Sequence, residues 1–309
     1  MLHKVRDIAQ GKWVGILVSL GFDGKILDGK HRPCPSCGGK DRWRFDDIDG
    51  KGTSFCSVCG ATDGVGLVMK VRDCDFKSAA LLVEQAAGFV KSGGYRPAQS
   101  DAAKVSALRA LWMKSKPAVD GDPVCKYLSG RGLVIPGGLR HVVIPYRDGP
   151  EFVGNFDAML ALVQGPDGKG VTIHRTYLKD GKKAPVPSPK KLMPGLPLKG
   201  AAIRLFEKAD CLGIAEGIET AIAAHQLFDV PVWSCVSASG IESFEPPEGV
   251  KSIIVFADND ESFTGQAAAF ALAKRLKLRG MPVEIQMPDK GDWADVVKES
   301  EPKRGGFKD

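Results

Sequence analysis

The run CLGIAEGIETAIAAHQLFDVPVWSCVSASGIESFEPPEGVKSIIVFADND, residues 211–260, decides the fold. Its apolar segments 211–215, 230–236 and 252–257 are separated by a helical stretch reaching about Phe228 and by a short turn. A helix over about Gly265–Leu278 and a further apolar run, 283–288, follow. Strand–helix–strand alternation predicts a parallel α/β sheet. Ligands of open sheets bind beyond the carboxyl ends of the strands. Glu216 stands directly after the first strand, and Asp258 and Asp260 directly after the third, so all three meet at one edge. Gathered carboxylates repel one another unless they share a hard cation, and oxygen ligands suit Mg²⁺. A D-x-D pair alone is commonly a turn; the strand-end Glu-Gly some 40 residues earlier makes the pattern more specific. Asp292 and Asp295 follow the fourth strand in GDWADVV, Asp292 being the better candidate for a further metal contact. Glu219, one helical turn beyond Glu216, is either a supporting carboxylate or part of a solvated face.

Upstream the charge balance reverses. Residues 101–205 carry 17 Lys and Arg against 8 Asp and Glu, residues 206–309 carry 11 against 18, and residues 1–100 carry 15 against 11. A basic stretch draws polyanions through counterion release. Acidic clusters accept phosphate only across a divalent cation. The two belong together in an enzyme that handles nucleic acid through a metal. Within the basic stretch a helix is predicted over Ala102–Lys116, with Val105, Leu108, Leu111 and Trp112 on one face. Alternation over 139–178 predicts antiparallel strands, and the Lys- and Pro-rich Lys182–Lys199 an exposed loop or edge. His174, Arg175, Lys183, Lys190, Lys191 and Arg204 are candidate nucleic-acid or nucleotide contacts, Arg as a fork and Lys as a point charge. For each residue taken singly, a solvated basic loop is the alternative.

Eight cysteines are present, four of them as Cys34-x2-Cys37 and Cys56-x2-Cys59 with 18 residues between the pairs. Two such knuckles make a tetrahedral four-thiolate site, closed to substrate and therefore structural, for one Zn²⁺. Gly38 and Gly60 follow the knuckles, where the turn needs a permissive backbone. Between the pairs Lys40, Arg42 and Arg44 interleave with Trp43 and Phe45. The cations suit phosphate, while Trp43, Phe45 and Phe55 either stack on unpaired bases or pack the ribbon's small core. His31 is a base contact or simply exposed. Around this module a helix is predicted from Val5 to Leu20, a helix pair over Val65–Val71 and Phe76–Ala87, and a linker over Lys91–Ser100. There is no secretory signal, and the apolar run Val14–Leu20 is too short to span a bilayer. A reduced cytoplasmic setting (the host's, for a phage protein) and no membrane partner are expected, and paired cysteines there indicate metal before disulfide.

HRPCPSCGGKDRWRFDD (31–47), GTSFCSVCG (52–60) and DGVGLV (63–68) resemble the zinc-binding domain of phage- and plasmid-encoded DNA primases, over about residues 28–70. In that family the domain helps to select the template sequence where a primer begins. Ala61-Thr62 departs from the family's more usual second Gly. EGIETA (216–221) and ADND (257–260) resemble the Toprim domain shared by bacterial primases, topoisomerases and some nucleases, over about 208–298, and within it the phage and plasmid primases. The resemblance implies general acid/base work for Glu216 and metal binding by Asp258 and Asp260. It implies close backbone approach at Gly217 and a rim position for Gly240. HRTYL (174–178), KAPVPSPKKLM (183–193) and AIRL (202–205) resemble the segment that precedes Toprim in these primases and helps to form the polymerase core.

The expected architecture is therefore multi-domain α/β: a zinc ribbon over 1–95, a mixed α+β basic part of the polymerase core over 101–205, and a parallel-sheet Toprim domain over 206–300. The expected activity is that of a DNA primase, a nucleotidyltransferase making short RNA primers on single-stranded DNA from ribonucleoside triphosphates with Mg²⁺ or Mn²⁺. No G-x4-G-K-[ST] occurs, so a helicase is expected as a separate protein, or the chain as a fragment. The four tyrosines all precede Glu216, unlike topoisomerases whose strand-cleaving Tyr follows Toprim. Rival readings are a Toprim nuclease or repair protein, which would cut DNA with Mg²⁺ alone, and a non-catalytic single-strand-binding zinc ribbon, which would bind without turnover.

Overall fold

A computed structural model describes residues 2–90, 93, 99–261 and 263–300. The linker expected at Lys91–Ser100 falls, at 91–92 and 94–98, outside the described residues. The chain divides into two compact units, Met1–Ser100 with Pro145–Gly154, and Asp101–Ile144 with Asn155–Asp309.

In the first unit, α1 (Leu2–Ala9) and α2 (Trp13–Ser19) replace the single helix predicted over Val5–Leu20. Gly11, at φ 71°, breaks it and donates its N–H to the Gly50 carbonyl. Four short antiparallel strands follow in sequential order, β1 (Arg32–Cys34), β2 (Gly38–Phe45), β3 (Ser54–Cys56) and β4 (Gly60–Thr62). The predicted helix pair is present as α3 (Gly64–Arg72) and α4 (Phe76–Ala87), each capped by an Asp, Asp63 or Asp75, that accepts from a first-turn N–H. Trp13 is the centre of this unit's core. A Cβ on Gly52 or Gly64 would lie 2.5 or 2.3 Å from its ring, so both glycines are needed for close packing.

The second unit begins with α5 (Asp101–Lys114), β5 (Lys116–Pro117) and α6 (Pro123–Ser129). Of the apolar face predicted for α5 only Leu108 is buried, and Trp112 lies under the Arg140 guanidinium. Long antiparallel strands β6 (Arg140–Asp148) and β7 (Glu151–Gln164), whose residues 145–154 count with the first unit, and β8 (Gly170–Lys179) come next, then short β9 (Lys182–Lys183), β10 (Lys190–Leu192) and β11 (Ala202–Ile203). The predicted alternation follows as β12 (Cys211–Ala215), α7 (Ile218–Phe228), β13 (Val232–Ser234), α8 (Ala238–Ser243), β14 (Ser252–Phe256), α9 (Thr264–Lys277), β15 (Val283–Gln286) and α10 (Trp293–Ser300). What reads as a short turn in the sequence is the helix α8, whose cap Ser237 accepts from the Gly240 N–H.

These strands form one eleven-stranded sheet, with backbone order β10-β8-β7-β11-β13-β12-β14-β15. The last four are mutually parallel. Two-residue β11 is antiparallel to both β7 and β13, and so joins the antiparallel half to the parallel half. The sheet thus has strands on both sides of the 205/206 boundary, where the charge balance changes sign, the boundary itself lying in the connection between β11 and β12. Apolar side chains cover both of its faces.

A Cβ on Gly240 would lie 1.9 Å from the Cys235 carbonyl oxygen. Backbone cannot yield as a side-chain tip can, so Gly240→Ala is expected to destabilise the protein by about 1–3 kcal/mol. A lowered urea midpoint would show this; an unchanged one would mean that α8 shifts freely.

Candidate functional site

The four-cysteine module lies in the first unit. Cys34 and Cys59 sulfurs are 4.0 Å apart, those of Cys37 and Cys56 3.7 Å, and all four lie within 4.8 Å of one another. Four sulfurs at ~2.3 Å from a common zinc would be separated by about 3.8 Å, so the set fits structural Zn²⁺. Burial and the three neighbouring cysteines hold the Cys59 thiol far above its usual range, a repulsion that a cation relieves.

β2 sorts the residues between the knuckles by its twofold alternation. Trp43 and Phe45 face inward, Trp43 only 1% exposed. The candidacy of Trp43 as a nucleic-acid contact is corrected: its ring packs the ribbon core with Cys34 and Cys56. Arg42 and Arg44 take the other face, and Arg44 is paired with Asp46 at 2.6 Å. Phe55, directly across from Arg44 in the strand pairing, is 47% exposed. Lys40 is exposed, and the His31 ring is hydrogen-bonded through Nδ1 to the Asp41 carbonyl.

In the second unit a polar cleft of about 170 Å³ lies at the carboxyl ends of the parallel strands. Glu216, Asp258 and Asp292 line it, together with Arg131, His174, Lys183, Lys190, Glu219 and Thr220. Glu216 directly follows β12, and its carbonyl accepts from Ser234 Oγ at 2.8 Å, which fixes the strand-end turn. Asp258 follows β14 and accepts from Thr220 Oγ1 at 3.1 Å. Asn259 pairs its backbone with Gly291, and its amide donates to the Pro288 and Asp289 carbonyls. That clasp brings Asp292 beside Asp258. Asp260 is exposed at the rim and is not a lining residue. Asp295 lies in the first turn of α10, its N–H donating to Asp292.

The electrostatics call for a cation. Burial first, then Asp292, Glu216 and Asp260, push the Asp258 carboxyl up to about 7, against the lowering bond from Thr220. Burial, with help from Asp260, holds Glu216 above its usual range despite Lys190. Among the described residues only the cysteines form a ligand cluster within 4.8 Å. The acids share a cleft without closing on one point. This suits a hydrated ion that takes one or two carboxylates and keeps its waters.

Facing the acids are two lysines from the antiparallel half, Lys183 on β9 and Lys190 on β10, both strands being paired with β8. Their ammonium groups lie 3.2 and 3.0 Å from Glu219, which is 4% exposed and also accepts from Tyr127 Oη at 2.5 Å. Burial pushes the Glu219 carboxyl up, but Lys190, Lys183 and the Tyr127 bond outweigh it and hold the group well below the usual carboxylate range. Glu219 is therefore no solvated helix face. Lys182–Lys199 is an edge, as predicted, but two of its lysines, Lys183 and Lys190, turn into the cleft. Buried His174 has its pKa lowered to about 4, mainly by desolvation and then by Lys190, so it is neutral at ordinary pH.

Arg175, Lys191 and Arg204 are not brought to the cleft. Arg175 donates to the Leu192 carbonyl and so ties β8 to β10. Arg204 donates to the Gly165 carbonyl at 2.8 Å and lies over Trp233, contacts that brace the sheet away from the cleft. Tyr127, Arg131 and Thr220 are site residues that the sequence does not single out. Tyr127, on α6, and Arg131, just beyond that helix, lie far upstream of the acids, and only the helix is signalled, by Asp122-Pro123 at its start.

Comparison with known proteins fits this geometry. Residues 211–302 match the family model of the Toprim domain. Residues 29–65 match that of the zinc-binding domain of primase-helicase, and residues 102–205 that of a domain of unknown function (DUF7146). The chain thus carries a Toprim domain. The ribbon ahead of it is of the primase type. Similar solved structures include the primase fragment of the bacteriophage T7 primase-helicase protein, at 18% identity over 86% of this chain and 93% of that one, with a TM-score of 0.39. The Aquifex aeolicus primase zinc-binding and RNA polymerase domains match at 13% over 96% and 82%, TM-score 0.43. A DNA primase domain from Pseudomonas aeruginosa matches at 18% over 63% and 74%, TM-score 0.43.

A carboxyl raised from 3.8 to about 7 binds its proton in the folded chain at pH values where the unfolded chain has lost it. Stability therefore falls as pH rises through about 4 to 7. In chelator, Asp258→Asn is expected to add about 1–2 kcal/mol at pH 8, the full linkage value being reduced by solvent screening. Near pH 5 the gain should be much smaller. Urea midpoints at the two pH values check this; an equal gain at both would show that Asp258 does not titrate in that window.

Proposed function

We propose that this chain is a DNA primase of the phage or plasmid kind, a DNA-templated RNA polymerase that makes short primers on single-stranded DNA. The observation that carries the reading is the cleft, where carboxylates of the Toprim domain face two lysines of the segment before it. A primase-type zinc ribbon in the same chain completes the set. No phosphate-binding loop of a helicase motor occurs in this sequence, so strand opening would fall to a helicase that is either a separate protein or another part of a longer chain.

Glu216, Asp258 and Asp260, with Asp292 as a further contact, would hold Mg²⁺ or Mn²⁺. When bound, the ion neutralises phosphate charge and lowers the pKa of the attacking hydroxyl. Lys183 and Lys190 bind the triphosphate of the incoming ribonucleotide as point charges. The 3′-oxygen of the preceding nucleotide forms a bond to the α-phosphorus, and the bond from that phosphorus to pyrophosphate breaks. Glu216, its carboxyl raised by burial, accepts the 3′-hydroxyl proton. His174, held neutral, offers a hydrogen bond without adding charge. Positioning and charge neutralisation do most of the work. On the ribbon, Phe55 supplies a stacking platform beside Arg44, with Arg42 on the same face and Lys40 and His31 as further contacts.

Incubation with single-stranded DNA and labelled ribonucleotides should yield short RNA products that chelator abolishes. Asp258→Ala should cut their rate by at least about a hundredfold. Strand cleavage with Mg²⁺ alone, and no RNA, would assign a nuclease instead. Phe55→Ala should weaken binding to single-stranded DNA by about 1–3 kcal/mol without unfolding the ribbon; unchanged binding would remove Phe55 from the interface.

A further inference from the structure

Glu219 is the most enclosed charge of the cleft, yet it stands apart from the acids assigned to the metal. Tyr127 and Lys183 meet one of its oxygens and Lys190 the other. Burying a carboxylate with two ammonium groups is no efficient route to stability, since apolar side chains of similar volume commonly do as well or better. An ion cluster kept at the wall of a reactive cleft therefore points to work on a ligand. The geometry indicates which work. Lys183 and Lys190 come from separate short strands joined by a Pro-rich loop, and each ends in a long flexible side chain. Two neighbouring ammonium groups repel each other. A carboxylate placed between them, fixed on the first turn of α7 and held by the Tyr127 hydroxyl, sets both where they line the cleft. Each ammonium has three donors, and the bond to Glu219 does not use them all.

We propose that Glu219, braced by Tyr127, is a positioning residue that presets Lys183 and Lys190 as a paired cationic clamp for a triphosphate chain. The proposal rests on the nucleotide-polymerising reading of the cleft. It adds a residue that touches neither metal nor substrate but governs how tightly the substrate is held. Its effect therefore lies in KM for the ribonucleotide rather than in kcat.

The test uses the full chain and two readouts. One is steady-state primer synthesis with varied ribonucleotide; the other is calorimetric binding of inorganic tripolyphosphate in the presence of Mg²⁺. Glu219→Gln is expected to raise KM about tenfold and to weaken tripolyphosphate binding by a similar factor, with kcat changed less than about threefold. The Mg²⁺ concentration giving half-maximal rate should stay fixed. Glu219→Asp should recover part of the loss. Should Glu219→Gln fail to fold, as judged by its melting curve, Tyr127→Phe serves in its place, with a smaller shift in the same direction. Folded variants with unchanged KM and unchanged tripolyphosphate affinity overturn the clamp while the polymerase reading stands. A wild-type chain that binds tripolyphosphate in a Glu219-dependent way but makes no RNA supports the clamp and removes the polymerase.

Discussion

Two residues hold the second unit's chemistry together. Ala202 and Ile203 hydrogen-bond to β7 on one side, and Ile203 to β13 on the other, so a meander of antiparallel strands and a parallel α/β sheet become one surface. Without that junction the lysines of β9 and β10 and the acids beyond β12 and β14 would belong to separate bodies. With it, their opposition is set by strand register rather than by a flexible linker, and register in a doubly covered sheet is strongly specified.

The cleft then carries opposing charge on opposing walls. Burial and then the neighbouring acids raise the affinity of Asp258 for its proton, while Lys190, bonded to Glu219, offsets the same effect at Glu216 only in part. The result is an acidic wall in want of a cation and a basic wall with donors to spare. That is the distribution needed by a reaction in which a polyanion meets a metal ion.

Much of this was legible in the sequence, for definable reasons. The four cysteines and the strand-end acids are local signals: a knuckle or a strand end is set within a few residues, and Glu216, Asp258 and Asp292 reach one cleft as the alternation implies. Residues whose role depends on which side of a strand they occupy were harder. Trp43 alternates into the ribbon core and Phe55 out of it, a distinction that requires the strand pairing. Charge counting could mark the basic segment but not sort its members. Lys190 enters the cleft, while Arg175 and Arg204 brace backbone. Tyr127 was beyond reach, since its partner lies 92 residues away and nothing in its own neighbourhood announces the meeting.

The position of β10 at the end of the sheet order has a consequence outside chemistry. A terminal strand offers unpaired amides and carbonyls to any passing chain, and natural proteins commonly guard such a margin with lysines. Lys190 and Lys191 occupy this one, and the prolines Pro187 and Pro189 just before it deny a stranger two of the amides it would need. The stretch that lends a lysine to the cleft is thus also a margin ill suited to pairing with neighbouring copies, and both properties share one short tract of sequence.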